Sequence, residues 1–195
     1  PDFIVDFPSG LATKLKELPQ DFQLHCETCA KGKLRKMGQQ SSVNKVKLTH
    51  WGQQIHSDLT GPLPTSFQDG DKYAVVFVDA WSRWISVYSV PTKTREDVVA
   101  AFAMFMADTA PFGRIESIVT DGGKEYDNYS MRQLCLNRGI AMSFTQPYES
   151  DTNGRAERAW SQLLPLVRCM LSESNIGHNH WPAAFRQAAL VLNIT

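Results

Sequence analysis

The stretch that decides the fold is IVTDGGKEYDNYSMRQLCLNRGIAMSFTQPYESDTNGRAERAW, residues 118–160. The apolar run at its start predicts a short buried strand, and IAMSFTQ predicts a second strand further on. Between them, YSMRQLCLNRG favours a helix that ends at Gly139. Another helix, of about twenty residues, is predicted to begin near Asn153. This alternation of strand and helix is typical of an α/β layer protein.

Three further strands are predicted upstream, in the runs QIHSDLTG, KYAVVFVDAW and RWISVYSV. The second run is continuously apolar at its centre, as expected of a strand that is covered on both faces. The intervening AWSR is short enough for a hairpin. A helix then follows Thr94, with Asp97 as its capping-box partner, and stops near Pro111. The sequence therefore predicts a five-stranded mixed sheet flanked by helices.

The charges balance overall but are separated along the chain. The protein has 195 residues, with 20 Lys and Arg against 20 Asp and Glu. Residues 31–47 carry six cations and no acid, whereas residues 58–157 carry fourteen acids and nine cations. A basic arm beside an acidic centre suits phosphate contacts next to a cation site, although a solvated linker gives the same pattern. No apolar run is long enough for a membrane span and no signal peptide is evident, so we expect a soluble intracellular protein.

The four cysteines are not arranged as a disulfide scaffold. Cys26 and Cys29 form a CxxC pair, which supplies two of the four ligands that a tetrahedral zinc ion needs. Either this segment is part of a zinc module or the two thiols are free. Cys135 and Cys169 lie in apolar patterns and are predicted to be core residues. The compact domain is predicted to span residues 51–195, after a basic linker at residues 37–50.

Three carboxylates form the candidate site. Asp58 lies in the middle of the first predicted strand, Asp121 follows the fourth, and 35 residues separate Asp121 from Glu157. On a helical wheel Glu157 sits at the edge of the apolar stripe, so it can face a cleft. Three such acids repel one another, and Mg²⁺ or Mn²⁺ would remove the repulsion. Two ions bound there can clamp the attacking and leaving oxygens of a displacement at phosphorus.

Each residue also has a plainer interpretation. An Asp before Gly-Gly is usually a turn residue, and a lone Glu on a helix is usually solvated. We predict that Asp79 is either a structural acid or one that supports the site from behind the metal ligands, and that Glu125 is a solvated loop charge. Lys124 and Arg155 adjoin the acids in sequence and are candidate phosphate contacts.

Successive blocks of the chain resemble one known family. HSDLTGP, VDAWSRW, VTDGGKEY, PYESDTNGRAER, RCML and WPAAFRQAALVLN occur in the order found in the DDE integrase catalytic core of copia-type LTR retrotransposons. CETCAKGK resembles the second half of the family's HHCC zinc module, which makes residues 1–36 a remnant of that module. The resemblance implies a ribonuclease-H-like fold for residues 51–195, preceded by this short partial zinc-module segment.

The resemblance also implies an activity. It predicts a metal-dependent enzyme that processes DNA 3′ ends and joins them to target DNA. Asp58, Asp121 and Glu157 match the family's Mg²⁺- or Mn²⁺-binding triad, and Tyr148 and Asn153 match positions that approach DNA ends. Expected partners are the element's DNA ends, target DNA and further copies of the chain. No association with a membrane is expected. The expected location is the nucleus, after a stage in a cytoplasmic particle.

Two other functions fit parts of the sequence. One is a non-catalytic, integrase-derived protein that binds nucleic acid or a partner. The other is a ribonuclease H-type nuclease, whose second acid usually comes from the interior of the first helix. Here Glu96 and Asp97 lie only in the opening turn of that helix, which disfavours the nuclease. Ser161 and Leu164 also replace lysines that retroviral relatives carry on the catalytic helix.

Overall fold

The computed structural model of the protein describes residues 47–145, 154–174 and 177–194, all within one compact unit, Val46–Thr195. Its strands are β1 Ile55–Thr60, β2 Tyr73–Asp79, β3 Ile85–Val90, β4 Ser117–Thr120 and β5 Ala141–Phe144. Its helices are α1 Arg95–Thr109, α2 Tyr129–Arg138, α3 Gly154–Ser174 and α4 Trp181–Ile194. Short 3₁₀ turns follow α1 at Ala110–Phe112 and precede α4 at His178–His180.

The five strands form one mixed sheet in the order β3-β2-β1-β4-β5. β1, β2 and β3 pair antiparallel, with the AWSR turn closing the β2–β3 hairpin. β4 pairs parallel with β1, and β5 pairs parallel with β4; each is reached by a helical crossover. The predicted five-stranded mixed sheet is confirmed. β1, the first of the described strands, lies at its centre.

Helices cover both faces of this sheet. Ala74, Val76 and Val78 of β2 face α3 and α4, whereas Val75 and Phe77 face α1 and α2. Successive side chains of a strand point to opposite faces, so a strand covered on both sides must be apolar throughout. Burial of β2 on both faces therefore explains its continuous apolar run, as predicted from the sequence. On the α1 side, Phe77 stacks on Phe105 with ring centroids 4.6 Å apart.

The free edge of β3 is partly closed by a side chain of α4. Asn193 accepts a hydrogen bond from the Ile85 N–H and donates one to the Ile85 carbonyl, both at 2.8 Å. One amide group thus makes the pair of bonds that a neighbouring strand would make. We call this pair the Asn193 clamp.

Most predicted helix ends are confirmed. α2 ends at Gly139, which adopts a left-handed conformation with φ 63°. α1 ends before Pro111, and α4 begins at Trp181. α3 runs unbroken through Pro165, so this proline does not end the helix.

Two local predictions are wrong. Asp97 does not form a capping box with Thr94; instead it accepts hydrogen bonds from the N–H and hydroxyl of Thr92, which stabilises the turn before α1. Cys169 is exposed rather than buried. It lies two residues after Val167, about 200° around α3 from the stripe that packs on the sheet. Cys135 is buried on α2, as predicted.

Several predictions concern residues outside the described ranges. These are the zinc ligands Cys26 and Cys29, the DNA-approaching residues Tyr148 and Asn153, and the extents of the zinc-module remnant and the linker. They stay predictions. Among the described helices, none is both long and apolar enough to cross a membrane.

Candidate active site

Strand register explains how Asp58 and Asp121 come together. In the parallel pair β1–β4, Ile55 lies beside Ile118 and His56 lies beside Val119. The same register continued by two residues sets Asp121, just past the end of β4, beside Asp58. Neighbouring strands are about 4.8 Å apart, so the two side chains share one place on the sheet.

Glu157 approaches from the helix above. Asp58 lies opposite Val76 in the β1–β2 register, and Val76 belongs to the face of the sheet covered by α3. Glu157 is in the first turn of α3, on its exposed side, as the helical wheel predicted. Ala156 and Trp160 on either side of it are buried against that face. The helix start therefore holds a carboxylate at the rim of the cleft that contains Asp58.

The environment of Asp58 favours its protonated form. Burial raises the pKa of Asp58 most, and the negative charges of Asp121 and Glu157 raise it further. A 2.9 Å hydrogen bond from the Leu59 N–H and the nearby Trp160 indole lower it. Among the described residues, Trp160 Nε1 has no partner with full hydrogen-bond geometry, so the indole acts on Asp58 only as a nearby dipole. Both other acids of the candidate site thus act on Asp58.

Asp121 begins a loop that carries a further acid. Burial raises the pKa of Asp121, a backbone hydrogen bond from Gly123 lowers it, and the charge of Glu125 raises it. Glu125 is half-buried, so its interpretation as a solvated loop charge is wrong. It lies close to Asp121 because the Asp121–Asn128 loop turns back, with Tyr126 N–H and Asp127 N–H both donating to the Gly123 carbonyl.

A buried tyrosine joins this loop to β1 beneath the acids. Tyr126 is fully buried, and its hydroxyl lies 2.8 Å from Ser57 Oγ. Burial raises the pKa of Tyr126, the Ser57 bond lowers it, and the charges of Asp58 and Asp121 raise it. The phenol therefore stays neutral and ties the strand that carries Asp58 to the loop that carries Asp121. No local sequence signal indicates this pair, since its partners are 69 positions apart.

Asp79 is a structural acid, as predicted. Its carboxylate accepts hydrogen bonds from the Gly52 N–H at 2.9 Å, the Ser82 N–H at 2.6 Å and the Ser82 hydroxyl at 2.7 Å. It thereby fixes the β2–β3 turn and holds the chain before β1 against it. With its oxygens used in this way, Asp79 is not available as a fourth acid of the site.

The candidate phosphate contacts have different surroundings. Lys124 is exposed in the loop that follows Asp121. Arg155 is half-buried, and its Nη1 donates a 2.7 Å hydrogen bond to the Ala80 carbonyl in the β2–β3 turn. Arg155 therefore anchors the start of α3, two residues before Glu157, to the sheet.

The donor set fits a hard divalent cation in its chemistry, because carboxylate oxygens are the ligands that Mg²⁺ and Mn²⁺ prefer. The shared charge environment of the three acids also fits, since a cation would relieve their repulsion. Their arrangement is nevertheless open: within the described ranges, no three His, Cys, Asp or Glu side chains converge closely enough to form a metal site. The acids line one cleft without forming a closed shell.

Comparison with known proteins identifies the family. The profile of the Integrase core domain matches residues 49–150, just over half of the chain, which includes Asp58 and Asp121 but ends before Glu157. The chain is also 29% identical, over 171 residues, to the Retrovirus-related Pol polyprotein from transposon TNT 1-94 of Nicotiana tabacum. That alignment covers 86% of this chain but 12% of the polyprotein.

Solved structures share the fold. The catalytic core domain of BIV integrase has a TM-score of 0.57 at 18% identity, covering 72% of this chain and 83% of that one. The HTLV-2 integrase catalytic core domain, in complex with magnesium, has a TM-score of 0.56 at 20% identity, covering 72% and 84%. A mixed sheet of this order with helices on both faces is the ribonuclease-H-like fold. These likenesses show the fold of the chain, and the Integrase core domain profile gives its class.

This chain therefore belongs to the Integrase core domain family.

Proposed function

We propose that this chain is an integrase catalytic core that uses divalent metal ions to process DNA 3′ ends and to join them to target DNA. The observation that supports this most is that two acids from other elements lie close enough to Asp58 to act on its charge, in a chain of this family. Asp58 is influenced by both Asp121 and Glu157, and burial adds to the effect. Acids collected in this way favour cation binding.

The three acids would hold Mg²⁺ or Mn²⁺, and a bound ion would supply Lewis-acid activation of a phosphodiester. The chain's own groups prepare the cleft for this. Burial of Asp58 beside Trp160 limits water on the inner side of the cleft, which strengthens electrostatic interactions there. The Tyr126–Ser57 bond keeps the Asp121 loop in register with β1.

The partners that we propose are based on what the similar solved structures contain. One HTLV-2 integrase structure contains magnesium and is trimeric, another is dimeric, and a simian T-cell lymphotropic virus integrase was solved as an intasome. For this chain we propose the element's DNA ends and target DNA as substrates, self-association, and action in the nucleus after a particle stage. Lys124, Tyr148 and Asn153 are proposed DNA contacts, and zinc at Cys26 and Cys29 remains a prediction.

The contacts of α1 do not favour the ribonuclease H alternative. Glu96 pairs with Arg95 and Asp97 bonds Thr92, so both acids of the opening turn are engaged locally. Asp108, near the end of α1, accepts a 2.7 Å hydrogen bond from the Tyr88 hydroxyl. These acids are therefore occupied on the side of the sheet away from α3. Measurements of strand transfer and of Mn²⁺ binding distinguish catalysis from the non-catalytic alternative.

The decisive variant is Glu157→Gln. Strand transfer of a labelled DNA end should fall at least about a hundredfold, because a lost metal ligand removes several kcal/mol of transition-state stabilisation. Glu173→Gln is the matched control: it removes one exposed carboxylate from the last turn of the same helix. It should leave the rate within about twofold, since surface changes away from a site have small effects.

Retained strand transfer by Glu157→Gln would refute the assignment of this acid. Calorimetry measures Mn²⁺ binding by the unmodified chain. If it detects no binding at near-millimolar concentration, the non-catalytic alternative is favoured. Circular dichroism of all variants separates loss of chemistry from loss of fold.

A further inference from the structure

The β2–β3 turn presents a rigid basic group beside the candidate active site. The Asp79 N–H donates to the Trp84 carbonyl at 2.9 Å, and the Arg83 N–H donates to the Asp79 carbonyl at 3.0 Å. Arg83 adopts a left-handed conformation with φ 70°, which is uncommon for a non-glycine residue. Its side chain is exposed, and Trp81 in the same turn is 51% exposed. The turn thus offers an aromatic ring and a guanidinium to solvent.

Two more arginines meet this turn from α3. Arg155 contacts it directly through the 2.7 Å bond to the Ala80 carbonyl. Arg158 is exposed three residues further on, and positions i and i+3 of a helix lie on one face. The turn and the start of α3 therefore bring three arginines together on one surface.

This cluster has little local compensation. Asp79 adjoins this turn, but its oxygens already accept three hydrogen bonds. Glu157 adjoins Arg158 in sequence and belongs to the carboxylate cleft. Within the described part of the chain, none of the three arginines forms an ion pair with a carboxylate. Surfaces usually intersperse charges of opposite sign, so an uncompensated group of three indicates an anionic partner.

We propose that Trp81, Arg83, Arg155 and Arg158 form a DNA-backbone contact, here called the basic hairpin surface, that carries duplex DNA into the adjacent carboxylate cleft. Guanidinium groups match phosphate oxygens with paired donors, and the fixed turn limits the conformational entropy lost on binding. The exposed ring of Trp81 can pack on a sugar or an unstacked base. Arg155 has a double role, since it also ties the turn to α3. This inference rests on the proposed function and names a surface outside its three acids.

The test is equilibrium DNA binding by the whole chain carrying Arg83→Gln and Arg158→Gln together. Arg155 is left unchanged because it also anchors α3. The probe is a blunt duplex of about 20 base pairs, without added Mg²⁺ or Mn²⁺, at about 50 to 200 mM salt. Each lost phosphate contact should reduce the slope of log K against log salt by about 0.9, so the double variant should lose nearly two. Affinity at the lowest salt should fall at least about tenfold.

Arg168→Gln is the matched control. It removes one exposed arginine from the same helix, about 15 Å along the axis from Arg158, and should change the slope by less than about 0.3. A double variant that matches the unmodified chain in affinity and slope would overturn the proposal. So would an unmodified chain that does not bind the duplex at the lowest salt.

This outcome is distinguishable from failure of the proposed function. Binding without added metal does not need the acids, so Glu157→Gln should bind the duplex at least as well as the unmodified chain. If Glu157→Gln abolishes strand transfer but the double variant binds normally, the integrase assignment stands and the basic hairpin surface is wrong. Thermal unfolding of each variant checks that the fold is intact.

Discussion

At the scale of single residues, Asp58 carries a charge that the folded protein disfavours. Its folded-state pKa is raised above the ordinary value of 3.8, chiefly by burial. At pH values between 3.8 and the folded-state pKa, the folded protein therefore keeps a proton on Asp58 that the unfolded chain has released. Stability must fall as the pH rises from 3.8 through the folded-state pKa, and it stays lower at neutral pH. The same charge is what would attract a cation.

Replacing this charge should stabilise the empty protein. We expect Asp58→Asn to raise the free energy of unfolding at pH 7 by about 1 kcal/mol, because the amide keeps the shape and removes the repulsion. Excess Mn²⁺ should stabilise the unmodified chain but not the variant. Urea denaturation with and without Mn²⁺ measures both effects. A variant that is less stable without metal would contradict this account of Asp58.

Asp79→Asn provides the contrast, since Asp79 is nearly fully buried and accepts three hydrogen bonds. Its loss should lower the free energy of unfolding by about 2 kcal/mol, because two backbone N–H groups and one hydroxyl lose their charged partner. Replacing Asp by Asn should thus raise the free energy of unfolding at Asp58 and lower it at Asp79.

At the scale of elements, the Asn193 clamp joins α4 to the outer strand across 108 sequence positions. Asn193→Ala would leave the N–H and carbonyl of Ile85 without this partner. We expect a loss of about 2 kcal/mol, from two hydrogen bonds of about 1 kcal/mol each. Gln187→Ala, at an exposed position of the same helix, should change stability by less than about 0.5 kcal/mol.

Urea denaturation measures these differences, and light scattering adds a second readout. An edge strand with unpaired backbone groups is a template for pairing with another chain. Asn193→Ala should therefore aggregate at lower protein concentration than Gln187→Ala. Equal stability of the two variants would show that the clamp contributes nothing.

The elements themselves were largely predictable, because they depend on local signals. The unbroken apolar run of β2 predicted burial on two faces, and Gly139 predicted the end of α2. The locations of Asp58 on a strand, Asp121 after a strand and Glu157 on a helix could also be predicted, whereas their role as a site stays a prediction. Contacts between distant segments could not: the bond from Arg155 to Ala80 joins positions 75 apart. Arg155 and Arg158 had a helical spacing that could have indicated a basic face, but nothing local placed Arg83 beside them.

At the scale of the whole molecule, the two cores share β2 and should unfold together. Leu163 lies in the core under α3, and Phe102 lies in the core under α1; both are fully buried. Leu163→Ala and Phe102→Ala should each lower the free energy of unfolding by about 3 kcal/mol. Circular dichroism and tryptophan fluorescence should report one coincident transition for each variant. Separate transitions would show that the faces are independent.

The central position of β1 determines when the candidate site can exist during synthesis. β1, β2 and β3 are consecutive in the chain and pair through neighbouring hairpins, so they can associate early as the chain leaves the ribosome. Asp58 is then present in a half-built sheet. Asp121 joins it only with β4, and Glu157 only with α3, after most of the described residues have been made. The candidate site therefore stays incomplete until α3 has been made, however early the first three strands associate.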